Sequence, residues 1–393
     1  MVIMAGGTAM TQADTLIRPD KALQMAFGRW QCASSSGIQR CLDRCSSESV
    51  SHLQQANRRL YRQHGQARTH SFSDELLVLD IDLTGLLASK HAEESTKGYF
   101  ANHRGQRGRQ LCRILASPYQ EIVMQALVPG NTPSKVMLRP ALQAVQPVLD
   151  LTDETRRRTL LRWDAGFGTD RNINWMLNQQ YQILGKMFSS KRVHKLAQSV
   201  TEWIPTEHSS GREYGVIALP HRYARKTTQL LVRTPKKSPS ETWAYGALVS
   251  TLYERSPHQL IALYDARGGG LETDFRSDRQ GLGLASRRKH HMAAQQMLIH
   301  LAERVHNLLV WTAKACGPPF NGYGALRLIR DVFRIDGYLL MKQDAPIEIG
   351  LNRGHPAAYP LCQAFNRLFG GRPLIKLWTP VEDVKEQQRG KMS

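Results

Sequence analysis

At 393 residues the chain has room for two or three domains with sizeable cores, and its 41% hydrophobic and 22% charged residues are ordinary for a globular protein. No apolar run approaches the ~20 residues of a membrane span, and the opening MVIMAGGTAM lacks a secretory pattern, so we expect no membrane segment and a cytoplasmic location. Lys and Arg number 53 against 33 Asp and Glu, a net charge of +20 with His neutral. Such a surplus favours a polyanionic partner, because each neutralised phosphate releases counterions; on charge alone a basic enzyme or a ribosome-associated protein stays open.

Residues 1–70 read as helical and basic. From Ser47 to His64, Val50, Leu53, Leu60 and Tyr61 fall on one face, Ser46 or Ser47 can cap the start, and Gly65 can close the end. Arg58, Arg59 and Arg62 near its tail suit the helix dipole, and a DNA contact there is the lesser reading. Of six cysteines only Cys41-x3-Cys45 is close, and His52 and His64 do not complete a zinc spacing. The cysteines read as free or buried thiols of a reducing cytosol.

ELLVLDIDL, residues 75–83, is too short for a helix and predicts a central strand ending at Thr84-Gly85, with Val78, Asp80 and Asp82 on one face. Strand-like pieces follow around Tyr99-Phe100, from Gln110 to Ala116 and from Glu121 to Val128, predicting an antiparallel meander. A helix-forming stretch runs from Ser134 to Leu149. Arg157 to Trp163 forms the fourth strand of the core and delivers Asp164 into the turn Ala165-Gly166-Phe167-Gly168. A helix over Asn172–Gln179, started by Thr169 or Asp170, and a fifth strand over Tyr181–Met187 complete this part.

Between Gly211 and Tyr264 the runs VIAL, QLLVRT, WAYGALVSTLY and QLIALY read as a β-rich insertion. Trp203, Trp243 and Tyr245, in or beside it, either fill its core, the favoured reading of each, or present an aromatic ring to a base. After Gly268-Gly269-Gly270 the chain turns helical, and Met297, Leu301, Val305 and Leu309 recur at four-residue spacing in a long helix reaching Trp311.

Three acidic residues stand out: Asp82 in LLVLDIDLTG, Asp164 in TLLRWDAGFG and Glu272 in YDARGGGLETDFRSDR. Desolvating a carboxylate is costly without a partner, so two aspartates on apolar strands call for cations or metal. Carboxylate oxygens suit hard ions such as Mg²⁺, and two such ions serve phosphoryl transfer. Asp80 faces the same way as Asp82; Asp82, nearer the strand end, is the preferred ligand and Asp80 the alternative. Arg104, Arg107, Arg109 and Arg113, and the cluster Arg287-Arg288-Lys289-His290-His291, read as contacts to a nucleic-acid backbone.

Tyr264-x2-Arg267, Glu272 and Arg279 together resemble the Tyr-x2-Arg-x3-Glu-x6-Lys signature of DDE-type bacterial insertion-sequence transposases, of the retroviral integrase superfamily. One extra residue separates Arg267 from Glu272, and Arg279 replaces Lys, which alters hydrogen-bonding geometry but keeps the charge. The resemblance runs from about residue 36 to about residue 315. It implies an α/β ribonuclease H-like fold: a mixed five-stranded sheet of order 3-2-1-4-5 flanked by helices, with a β-rich insertion and a helical N-terminal region. It implies catalytic and metal roles for Asp82, Asp164 and Glu272 around two Mg²⁺ (Mn²⁺ as substitute), and phosphate contacts by Tyr264, Arg267 and Arg279. The cluster Arg287, Arg288 and Lys289 is expected on DNA. The implied partners are double-stranded DNA, as terminal inverted repeats and target, and a second copy of the chain, a homodimer on bacterial nucleoid DNA. The implied activity is cut-and-paste transposition by strand cleavage and strand transfer; a decayed DNA-binding element protein and a nuclease that cuts without joining are the rivals. The expected divisions are 1–72, DNA-binding; 73–200, first part of the catalytic core; 201–260, insertion; 261–320, second part of the core; and 321–393, a C-terminal region.

Overall fold

The computed structural model describes residues 1–100, 105–207, 211–236, 243–268, 273–343 and 345–379. Contacts group the chain into two compact units, Gln55–Phe275 and the pairing of Met1–Gln54 with Arg276–Ser393. Glu272, Arg104 and the glycines at 269 and 270 lie outside the described residues.

The chain opens with α1 (Lys21–Ala26), α2 (Ser35–Asp43) and α3 (Ser47–His64). The third has the expected limits, and its Tyr61 is anchored by donating its hydroxyl to Glu121 at 2.8 Å. Arg62 donates to the Pro147 carbonyl at 2.8 Å and pairs with Asp150, so part of that helix's charge is already engaged.

A large mixed sheet then builds the unit Gln55–Phe275. Its elements are β1 (Leu77–Leu87), β2 (Thr96–Lys97), β3 (Arg107–Ala116), β4 (Glu121–Pro129), α4 (Ser134–Val145), α5 (Asp153–Arg157), β5 (Thr159–Trp163), α6 (Asp170–Asn178) and β6 (Gln182–Lys186). After α7 (Ser190–Ala197) come β7 (Ile204–Pro205), β8 (Glu213–Val216), β9 (Thr228–Pro235), β10 (Trp243–Ser250) and α8 (Pro257–Arg267). β4, β3 and β1 pair antiparallel, while β1, β5 and β6 run parallel. β10 joins the free edge of β6 antiparallel, and β9, β8 and β7 continue from it, so the insertion strands extend the same sheet.

Three local expectations are corrected. β1 does not stop at Thr84-Gly85 but pairs with β3 as far as Leu87, and the bare Gly85 makes room for the Phe100 ring, 2.3 Å from where a Cβ would stand. The short strand that pairs with the start of β3 covers Thr96–Lys97 rather than Tyr99-Phe100. QLIALY, read as a strand, lies in α8. Ser256 caps that helix by accepting from Gln259 N, Gln259 returns the bond to Ser256 N, and Pro257 occupies the first turn. This reciprocal cap and the N-terminal proline specify a helix start that outweighs the β-type composition.

The second unit contains α9 (Thr273–Gly281) from Arg276 onward, the long α10 (Met292–Cys316), α11 (Ala325–Arg327), β11 (Gly337–Lys342), β12 (Ala345–Asn352), α12 (Ala358–Phe369) and β13 (Leu374–Trp378). Leu42 of α2 packs against Ala294 and Leu298 of α10. Buried His306 and Asp278 pair at 2.9 Å, and His300 pairs with Glu303. No described helix is long and apolar enough to cross a membrane.

Candidate active site

The register between β1 and β5 sets up the site. Leu77 pairs with Thr159, Asp80 with Arg162 and Ile81 with Trp163, a constant offset of 82 positions. The same offset brings Asp164, the first residue beyond β5, level with Asp82. Residues paired across parallel strands point to one face, and alternation keeps Asp82 on the face of Asp80. The carboxylates therefore lie level just beyond the last β1–β5 pair, Asp82 within β1 and Asp164 at the C-terminal end of β5.

The row beneath is closed. Asp80 is fully buried and receives Arg162 Nε at 2.6 Å and Nη2 at 2.7 Å, together with the Ser117 hydroxyl. Arg162 Nη1 donates to the Leu263 carbonyl at 2.5 Å, tying β1 and β5 to α8. Bidentate pairing and the hydroxyl occupy both oxygens of Asp80.

Asp82 is placed differently. Its side chain keeps 18% exposure, Oδ1 accepts from Leu83 N at 2.7 Å, and Oδ2 lies 2.9 Å from Arg267 Nη2. Arg267, in the last turn of α8, also donates to the Ile81 carbonyl at 3.3 Å. Burial works against its charge, but Asp82, Tyr264 and Asp164 together hold its pKa above the ordinary value. Asp164 Oδ1 accepts from Gly166 N at 3.0 Å, which fixes the turn that follows it.

The row continues on both sides. Arg113 pairs with Asp82 across β1 and β3, and Gln125 pairs with Arg113 across β3 and β4. Arg113 is fully buried, donates through Nε and Nη2 to Gln125 Oε1 at 3.0 and 2.7 Å, and stacks 4.4 Å from the Phe275 ring centre. Phe275 follows position 272 by three residues. On the other side, the β5–β6 register puts Lys186 beside Asp164. Burial lowers the Lys186 pKa, Arg212 adds to the effect and Asp164 opposes it. Burial, and secondarily Asp82, pushes the neighbouring Cys112 thiol up to about 12.

The structure thus brings together Asp82, Asp164 and Arg267. Tyr264 lies close by but within the core, packed with Leu160, Leu184, Leu248 and Leu260, and burial raises its pKa. Arg279, half-buried in α9, belongs to the other unit, and burial lowers its pKa.

The cluster read as a phosphate-facing run is largely engaged in packing. Arg287 is buried, donates to the carbonyls of Leu282 and Gly7, and is brought down to about 10 by burial. Lys289 is buried against Asp43 at 2.6 Å. Arg288 alone of the three is exposed. Arg109 and Arg113 are likewise buried rather than presented to solvent. Trp203 and Trp243 each stack 4.2 Å from the guanidinium of Arg233, which pairs with Glu213.

Sequence reasoning missed Arg162 and Lys186, and it read Arg113, which is buried against Gln125, as a nucleic-acid contact. The signal was available in the strand offsets: a residue 82 positions after Asp80 is Arg162, and one 22 positions after Asp164 is Lys186.

The chain belongs to the DDE transposases: it matches the family described as transposase DDE domain, group 1, over residues 1–372. None of the curated proteins matches it. Among solved structures it is similar to a piggyBac transposase in a synaptic complex with hairpin DNA, with 15% identity, a TM-score of 0.44, and coverage of 66% of this chain and 52% of that one. The chain spans about half the length of that transposase.

The donors at the described part of the site suit a hard divalent cation. They are carboxylate oxygens, and two like charges side by side are relieved by a shared cation.

Proposed function

We propose that this transposase acts on the ends of a mobile DNA element by cut-and-paste chemistry, cleaving a strand and then joining the freed end to target DNA. The observation that carries the reading is the level placement of Asp82 and Asp164 just beyond the last β1–β5 pair, in a chain of the DDE family. The pairing order β4-β3-β1-β5-β6 supports a ribonuclease H-like core.

Asp82, Asp164 and Glu272 would hold two Mg²⁺ or Mn²⁺ ions, which when bound supply Lewis-acid stabilisation of the attacking and departing oxygens. Asp82 serves as ligand in preference to Asp80, whose oxygens are already taken by Arg162 and Ser117. Arg267 orients Asp82 and keeps a permanent positive charge beside the place where the phosphate would lie. Tyr264 packs in the core one turn before Arg267 on α8, and the phosphate contact proposed for Arg279 rests on the family signature alone. The double-stranded DNA partner is supported by the +20 charge. Two copies of the chain would join two ends.

The test uses DNA carrying the inverted repeats that flank the gene. Wild-type protein is expected to give nicked, double-cut and joined products with Mg²⁺ or Mn²⁺ and none in EDTA. Asp82→Asn, Asp164→Asn and Glu272→Gln should each slow cleavage on the order of 10³-fold while still binding DNA. Binding without cleavage under every metal condition would mean a decayed protein, and hydrolysed ends that never join would mean a nuclease.

A further inference from the structure

Beside Asp164, within the unit Gln55–Phe275, lies a cavity of ≈ 310 Å³ whose wall includes Ala165, Lys186, Ser190, Arg212 and Tyr245. It opens where β6 ends while β10 continues, because only Leu248–Ser250 of β10 pair with β6.

Two cations of this wall have unused donors. The Lys186 ammonium has no hydrogen-bond or ion-pair partner among the described residues; its recorded contact is the Tyr264 ring, 5.2 Å away. Arg212 is held by Asp265 at 2.5 Å through Nη1, yet its Nε is buried without a hydrogen-bond partner. A half-buried ammonium and an orphaned guanidinium donor are both costly unless an acceptor arrives. Phosphate oxygens are such acceptors, and charge-assisted bonds from Lys and Arg are the strong ones. Lys186 is also level with Asp164, so an anion here would adjoin the carboxylate row. The Asp80–Arg162 row has no such vacancy in its pairing, which separates a structural cation from an available one.

We propose that Lys186 and Arg212 form a phosphate subsite that takes a phosphodiester of the DNA strand on the β6–β10 side of Asp164, making Lys186 a substrate-contacting residue. This rests on the DNA-acting reading above. Ser190 and Tyr245 line the same space, and hydroxyls suit the remaining ester oxygens.

The test reads binding alone, in EDTA, so that it does not depend on cleavage. The affinity of the intact chain for the flanking-repeat duplex is measured across a salt series for wild type, Lys186→Met and Lys186→Arg. Removing one phosphate contact should lower the slope of log affinity against log salt by about 0.9. It should also weaken binding at low salt by about tenfold, with Lys186→Arg restoring most of both. Melting curves check that each variant is folded, and Lys186→Gln replaces Lys186→Met if the latter is not. An unchanged slope and affinity in the folded neutral variant overturn the subsite even if wild type cleaves DNA. A reduced slope upholds it even if wild type cleaves nothing. Wild type that fails to bind DNA at all overturns both readings.

Discussion

Two successive rows on one sheet face, built from the same two strands, have opposite characters. Asp80 and Arg162 form a closed pair, buried and satisfied, that fastens β1 and β5 to α8. Two residues further on, the same offset sets Asp82 beside Asp164, like charge against like, near solvent. The lower row uses its charge in holding the fold. The upper row keeps its charge available, with Arg267 as its described counter-ion. Placement beyond the last β1–β5 pair, rather than residue type, distinguishes a structural aspartate from a candidate metal ligand.

The largest effect expected from breaking this comparison is on stability. Arg162→Met leaves Asp80 buried without its partner and should cost about 3–5 kcal/mol. Asp80→Leu combined with Arg162→Met should recover much of that loss, since a buried pair can often be replaced by apolar groups. Asp82→Asn should change stability far less, because it relieves a like-charge neighbour and leaves an amide that can still accept from Arg267. Denaturant melts of the four proteins check this, and equal losses for Asp82→Asn and Arg162→Met would erase the distinction between rows.

A smaller effect sharpens the same contrast in another region. Arg287 and Lys289 are engaged with carbonyls and Asp43, whereas Arg288 faces solvent. Arg287→Ala should lower the melting temperature, as orphaned carbonyls and a cavity replace a packed guanidinium. Arg288→Ala should leave melting unchanged and, if it meets a phosphate, reduce the salt slope of DNA binding by about 0.9. A slope change confined to Arg287→Ala, with no loss of stability, would reverse the assignment.

Much of the core was legible because its signals were local. Apolar runs bounded by turns located β1, β3, β4, β5 and β6, and of the two helix starts expected, Thr169 or Asp170, the cap is Thr169, which accepts from Asn172 N. Other features were hidden by partners far along the chain. Asp80 and Asp82 look alike in LLVLDIDLTG, and partners elsewhere in the chain, Arg162 and Ser117 for Asp80 and Arg267 for Asp82, separate them. Arginines near Gly108 read as contacts to a nucleic-acid backbone, but pairing with β4 places Arg113 over Gln125 inside the fold. QLIALY has strand-like composition, and the cap at Ser256 decided otherwise. The third carboxylate, Glu272, came from its motif, and its placement lies outside the described residues.

The central claim is that Asp82 and Asp164 share a divalent cation while Asp80 does not. Calorimetric titration of Mn²⁺ into the DNA-free chain tests it without recourse to activity. Wild type should bind, Asp82→Asn and Asp164→Asn should each lose at least about tenfold in affinity, and folded Asp80→Asn should bind as wild type does. Undiminished binding in Asp164→Asn, or loss confined to folded Asp80→Asn, would contradict the account.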